Sequence, residues 1–119
     1  MSMFHQIAIG AVVPRGSEYI KCCVGPIQYK DFKAVNEDMR IMKKVLDTSK
    51  PVDGAFLTAA SPGVVALFQV NKYFKTHEEY ISALVPELAK EYAKIVEAGF
   101  LLQLDCPDLA MGRHHAYAK

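Results

Sequence analysis

THEEYISALVPELAKEYAKIVEAGFLLQLD, residues 76–105, decides the fold class. Thr76 followed by Glu79 has the capping-box pattern, in which hydroxyl and carboxylate satisfy reciprocal backbone donors at a helix start. Ile81, Leu84, Val85, Leu88, Tyr92 and Ile95 then step by three and four along one face of a helix. Gly99 is a natural stop, because the residue after a helix C-cap often takes a left-handed conformation. Phe100, Leu101, Leu102, Gln103 and Leu104 follow as a buried strand, closed by Asp105-Cys106-Pro107.

Working outward, the same alternation repeats. Residues 18–24, rich in β-favouring side chains, are a predicted strand ending at Gly25-Pro26, with Pro14-Arg15-Gly16-Ser17 as a turn before it. Asp31 is placed to cap a helix reaching about Asp47, whose apolar stripe is Phe32, Val35, Met39, Met42 and Leu46. Thr48-Ser49-Lys50-Pro51 stops that helix. Residues 52–58 read as a small, apolar strand, broken by Ala59-Ala60-Ser61-Pro62-Gly63. Pro62 suits the first position of a short helix holding Val64, Val65, Leu67 and Phe68. Tyr80 and Tyr92 stand at helical spacing and are expected to pack in the core, as are Met39 and Met42. Strand, helix, strand, helix, strand, with helices long enough for crossovers, predicts an α/β fold with parallel pairing.

Composition narrows the function. The chain has 119 residues, 51% hydrophobic and 23% charged, which is the profile of one soluble globular domain. A formal charge of +1, with Lys and Arg scattered, gives no basic stripe for nucleic acid. Residues 7–13 are apolar but far short of the roughly 20 that span a bilayer, so no membrane segment is expected. Three cysteines, two of them adjacent (Cys22, Cys23, Cys106), are read as reduced thiols of a cytoplasmic protein.

In parallel α/β sheets, ligands bind beyond the carboxyl ends of the strands. Asp105 stands at such an end, where it either accepts hydrogen bonds from a ligand amine or hydroxyl, or caps the next turn. Ser61, at a helix N-terminus, either caps that helix or helps hold an anion. The adjacent pair His114-His115 is expected in an exposed tail rather than in a metal site, and no spacing of Cys and His makes a zinc motif. Neither a nucleophile elbow nor a glycine-rich phosphate loop is present.

Phe56-Leu57-Thr58-Ala59-Ala60-Ser61-Pro62-Gly63, together with Leu102-Gln103-Leu104-Asp105-Cys106-Pro107-Asp108-Leu109-Ala110, resembles the C-terminal domain of cobalamin-independent methionine synthase and its shorter, methionine synthase-like relatives. Gly25-Pro26-Ile27 and Lys50-Pro51-Val52 fall in the same order, and the resemblance covers roughly residues 16–115. It implies a TIM-type (β/α)8 barrel whose enzymes move a methyl group from methyltetrahydrofolate to a homocysteine thiol held on zinc. By the same resemblance Asp105 holds the amino group of homocysteine or methionine, with Thr58 and Ser61 in the neighbouring loop. Phe68 stands nearest to the family's folate-packing Trp, while Cys106 and Met111 replace acidic residues of the synthases.

A complete barrel needs about 250 residues, so residues 1–119 are expected to form one domain amounting to part of a barrel. The family's zinc ligands come from strands beyond these, so no cofactor is predicted for this chain and thiol methylation by it alone is not expected. A partial barrel leaves open sheet edges and an open inner face. A homodimer or higher homo-oligomer is therefore expected. Three readings follow: a methyltransferase-like enzyme completed by another chain, a small-molecule (amino-acid-like) binding protein, or an inactive remnant.

Overall fold

The computed structural model describes the backbone of residues 12–15 and 18–115 and the side chains of residues 21–112. The elements in chain order are β1 (Val12–Arg15), β2 (Glu18–Cys23), α1 (Lys33–Thr48), β3 (Phe56–Ala60), α2 (Pro62–Phe68), β4 (Val70–Asn71), α3 (His77–Glu97), β5 (Leu101–Asp105) and α4 (Pro107–His115). They form a mixed α/β fold with two small sheets, ordered β1-β2-β4 and β3-β5, and no closed barrel among the described residues.

The helices follow from their sequence patterns. The Thr76 hydroxyl accepts from the Glu79 N–H at 3.1 Å, while Glu79 Oε2 reaches back to the Lys75 N–H at 3.1 Å, one residue further than the simple box. Gly99 ends α3 at φ +88°. Its N–H donates to the Val96 carbonyl and the Phe100 N–H donates to the Ile95 carbonyl, the paired bonds of a Schellman ending. Pro86 lies inside α3 at an exposed position, on the side away from the core. Helix α1 buries the expected stripe: Val35 and Met39 fully, with Phe32, Met42 and Leu46 packed beside them. Its cap position is Phe32, without a side-chain bond, and Asp31 instead accepts from the Lys33 N–H at 2.9 Å.

Two apolar clusters meet on α3. Tyr80, Leu84 and Leu88 pack with Cys23, Ala60, Val64 and Val65. Ile95 packs with Val35, Met39, Ala59 and Phe100. Tyr92 touches both clusters, so α3 joins the two halves of the core.

The strands differ from the sequence expectation at their ends. Strand β3 begins at Phe56 and includes Ala59 and Ala60, where the sequence predicts a break; both are buried, their small size allowing helices to close over them. Residues 52–55 are not strand, and Val52 is 58% exposed. Pro14 and Arg15 lie within β1, paired antiparallel to Tyr19 and Glu18, rather than in a turn. Pro is tolerated there because β1 is an edge strand; Gly16 and Ser17 lie outside the described residues.

The expected run of three parallel strands is only partly present. Strand β3 pairs in parallel with β5, from Phe56↔Leu101 to Ala60↔Asp105. Strand β2 pairs in parallel with the two-residue β4 instead, through Cys22↔Val70 and Cys23↔Asn71. Asn71 fixes that short strand, because its side chain accepts from the Tyr73 and Phe74 N–H groups and donates to the Phe74 carbonyl. Residues 114–115 belong to the end of α4, not to a tail, although their side chains lie outside the described residues. Among the described residues no helix is long and apolar enough to cross a membrane.

Candidate functional site at the strand ends

Parallel partners point to the same face of a sheet, so β3 and β5 present three rungs on one side: Phe56 with Leu101, Thr58 with Gln103, and Ala60 with Asp105. The other side carries Leu57, Ala59 and Leu102, which pack into the cluster under α1 and α3, and Leu104, which is 44% exposed. The first side is open except at Ala60, which is buried against α2 and α3. Phe56 and Leu101 are 55% and 68% exposed, and Thr58, Gln103 and Asp105 are exposed too. This face runs from apolar at the amino ends of the strands to polar at the carboxyl ends.

At the carboxyl ends the backbone is tied together. The Ser61 N–H donates to the Asp105 carbonyl at 3.0 Å, extending the ladder by one bond beyond β3. The Tyr92 hydroxyl donates to the Ala60 carbonyl, and burial raises that phenol to about 12. Ser61 and Asp105 therefore occupy the same end of the sheet, held by main-chain bonds rather than by flexible side chains.

Ser61 is buried and caps α2, its Oγ accepting from the Val64 N–H at 3.1 Å. The same hydroxyl donates to Asp108 Oδ1 at 2.9 Å. Asp108 lies in the first turn of α4 and packs so closely over Gly63 that a β-carbon there would collide with its carboxylate. The anion that the first turn of α2 favours is thus supplied by the chain itself.

Asp105 differs in kind. Its carboxylate takes part in no hydrogen bond or ion pair with the described residues, so it caps no turn there and faces solvent beside Gln103 and Thr58. Phe68 is 59% exposed at the far end of α2, seven residues or about 10 Å from the Ser61 end at the helical rise. The structure brings Ser61, Thr58 and Asp105 to one sheet end and leaves Phe68 apart.

Asp108 and His77 were not singled out from the sequence. They line a cleft of about 640 Å³ with Pro62, Leu67, Ile81 and Leu109. The available signal for Asp108 was Pro107-Asp108, a proline and an acid in the first turn of a helix. No comparable signal marked His77.

Cys23 makes no reactive centre. Burial raises the Cys23 thiol, so little thiolate forms near neutral pH. Among the described residues no three His, Cys, Asp or Glu side chains converge as a metal requires, so these residues do not fit the zinc of the methionine synthases. The chain matches no known protein family, no curated protein and no solved structure.

Proposed function

We propose that this chain contributes a β-α-β segment of a methionine synthase-like (β/α)8 barrel, and that Asp105 binds the ammonium group of an amino-acid-like ligand at its strand-end face. The observation that carries this reading is the in-register β3–β5 pair, on one face of which Thr58, Gln103 and Asp105 are exposed while Ala60, the partner of Asp105, is buried under α2 and α3. A carboxylate with no internal partner keeps its full accepting capacity for a cationic group. The Thr58 hydroxyl and Gln103 amide, one rung below, are placed to bond the polar atoms of the same ligand. Ser61 positions rather than binds, since its hydroxyl is already used on both sides.

Methyl transfer is not part of this reading. Zinc and methyltetrahydrofolate belong to the resemblance, and no step through either is derived from these residues. The role proposed is ligand holding, as a non-catalytic portion of such a site.

The same open face supports a homo-oligomer, with a second copy covering Phe56 and Leu101. Stable interfaces bury about 1,200–2,000 Å² in total, and native mass spectrometry at micromolar concentration should show a dimer; a monodisperse monomer would end that part of the reading.

Calorimetric titration with L-methionine and with L-homocysteine tests the ligand. Asp105→Asn should weaken binding by about 1.5–3 kcal/mol, the range for a hydrogen bond to a charged group. The deaminated analogue 4-(methylthio)butanoate should bind wild type as weakly as methionine binds the variant. Equal affinity of wild type and variant for methionine, or no binding to either, would reject the assignment of Asp105.

A further inference from the structure

The amino ends of β3 and β5, opposite the Asp105 end, carry a cavity of about 470 Å³ between the last turn of α1, the loop before β3 and the turn after α3. Its size falls in the range of small-molecule sites. Leu46, Val52 and Phe100 supply apolar walls, and Phe100 is itself buried against the core. Lys43 and Lys50 stand on the rim, and no carboxylate is among the lining residues. Neither lysine is in an ion pair with a described residue. Lys43 Nζ lies 6.0 Å from the centre of the Phe100 ring, so the charge stands close to an apolar wall of the cavity.

One effect opposes an anion here, because α1 and α3 both end at this face and a helix C-terminus carries about half a negative charge. Much of that is already met. The Leu46 carbonyl accepts from the Ser49 N–H and hydroxyl, the Lys44 and Val45 carbonyls accept from the Thr48 hydroxyl, and the Ile95 and Val96 carbonyls accept from Phe100 and Gly99. Among the lining residues the two whole positive charges outweigh two partial negative ones whose carbonyls are bonded, and Asp47, Asp53 and Glu97, each next to a lining residue in the chain, are exposed and do not line the cavity.

We propose that this cavity is a binding site for an organic anion with an apolar body, a monocarboxylate with an aliphatic or aromatic tail. The carboxylate pairs with Lys43 and Lys50 at the rim, and the tail lies against Leu46, Val52 and Phe100. The site is chemically the reverse of the Asp105 face, which takes a cationic group at the other end of the same strands, and it does not depend on that reading.

Decanoate is the probe, titrated into the isotopically labelled full chain and followed by backbone amide NMR shifts. Saturable shifts at Gly54, Gly99 and Phe100 are expected below the concentration at which decanoate forms micelles. Lys43→Gln with Lys50→Gln should weaken binding at least about tenfold, the loss expected for charge-assisted bonds, and decanol should bind similarly more weakly than decanoate. Gly54→Leu is a second, independent variant: Gly54 lines the cavity and a β-carbon there meets nothing within 4 Å, so a larger side chain is accommodated without displacing the fold and narrows the site. It should abolish the shifts at Gly99 and Phe100 while leaving the melting temperature unchanged. No saturable shifts at these amides, equal binding of decanol, or binding unaffected by either variant would each overturn the proposal.

Discussion

The Ser61 hydroxyl joins two helix starts: it accepts from Val64 at the first turn of α2 and donates to Asp108, 47 residues further along the chain, in the first turn of α4. A hydroxyl used on both sides fixes its own rotamer and the position of the carboxylate. Asp108 then sits over Gly63, the one residue type that leaves room for it.

Gly63→Ala should therefore destabilise the protein by about 1 kcal/mol. The added methyl pushes the Asp108 carboxylate off Ser61, and the lost charged bond, about 1.5–3 kcal/mol, exceeds the gain of up to about 1 kcal/mol from replacing a helical glycine. In an Asp108→Ala background the collision is gone, and the same change should become neutral or stabilising. Urea unfolding of the four proteins measures both values; the same sign in both backgrounds would show that the carboxylate is not what Gly63 accommodates.

Gly99 and Gly54 make a second comparison. Gly99 holds φ +88° at the end of α3, a conformation costing an L-residue roughly 1–2 kcal/mol, whereas Gly54 has neither a positive φ nor a neighbour near its absent side chain. Gly99→Ala should lower stability by that amount, and Gly54→Ala should change it by less than about 0.5 kcal/mol. Denaturant midpoints for the two variants give the test, and equal effects would count against the Schellman ending.

These contrasts explain what was legible in the sequence. Helices α1 and α3 and the N-cap of α2 were legible because their signals are local: apolar spacing, Thr76 with Glu79, Ser61 before Pro62, and a glycine just past the end. Strand ends were not, because apolar character alone does not separate the exposed Val52 from the buried Ala59 and Ala60. What buries those two alanines is packing against α1, α2 and α3, a tertiary fact. Strand β4 has only two residues and owes its place to the Asn71 turn, too short a pattern to read. At the strand ends, Asp105 and Ser61 were legible as polar residues closing apolar runs. The bond from Ser61 to Asp108 was not, because nothing local pairs residues so far apart. Glu91 escaped notice for a related reason: it falls in step with the buried positions Tyr80, Leu84, Leu88 and Ile95, where an apolar residue is expected.

That buried glutamate sets a pH dependence. Glu91 is 5% exposed, and its Oε2 accepts from the Tyr29 hydroxyl, while Glu87 Oε2 accepts from the Tyr29 N–H at 2.7 Å. Two acids of α3 thus hold the segment between β2 and α1. Burial raises the Glu91 carboxyl above its ordinary value of 4.5; the Tyr29 bond partly opposes this, and Asp38 on α1 adds to the rise. A raised acid is protonated more readily in the folded chain than in the unfolded one. Its contribution to stability is full below pH 4.5 and is lost as pH rises through the higher folded value. Glu87 is shifted the other way, chiefly by Lys90, and its contribution fades as pH falls, so total stability alone does not isolate Glu91. Glu91→Gln does, because Gln keeps an acceptor for Tyr29, carries no charge at any pH, and leaves Glu87 in place. Wild type and variant should melt together at pH 4 and below, and the variant should melt higher above pH 5, by a margin that grows until the folded carboxyl is ionised. Melting temperatures across that range check the prediction, and a gap that stays constant or widens towards acid would mean that the carboxylate is not desolvated in the folded protein.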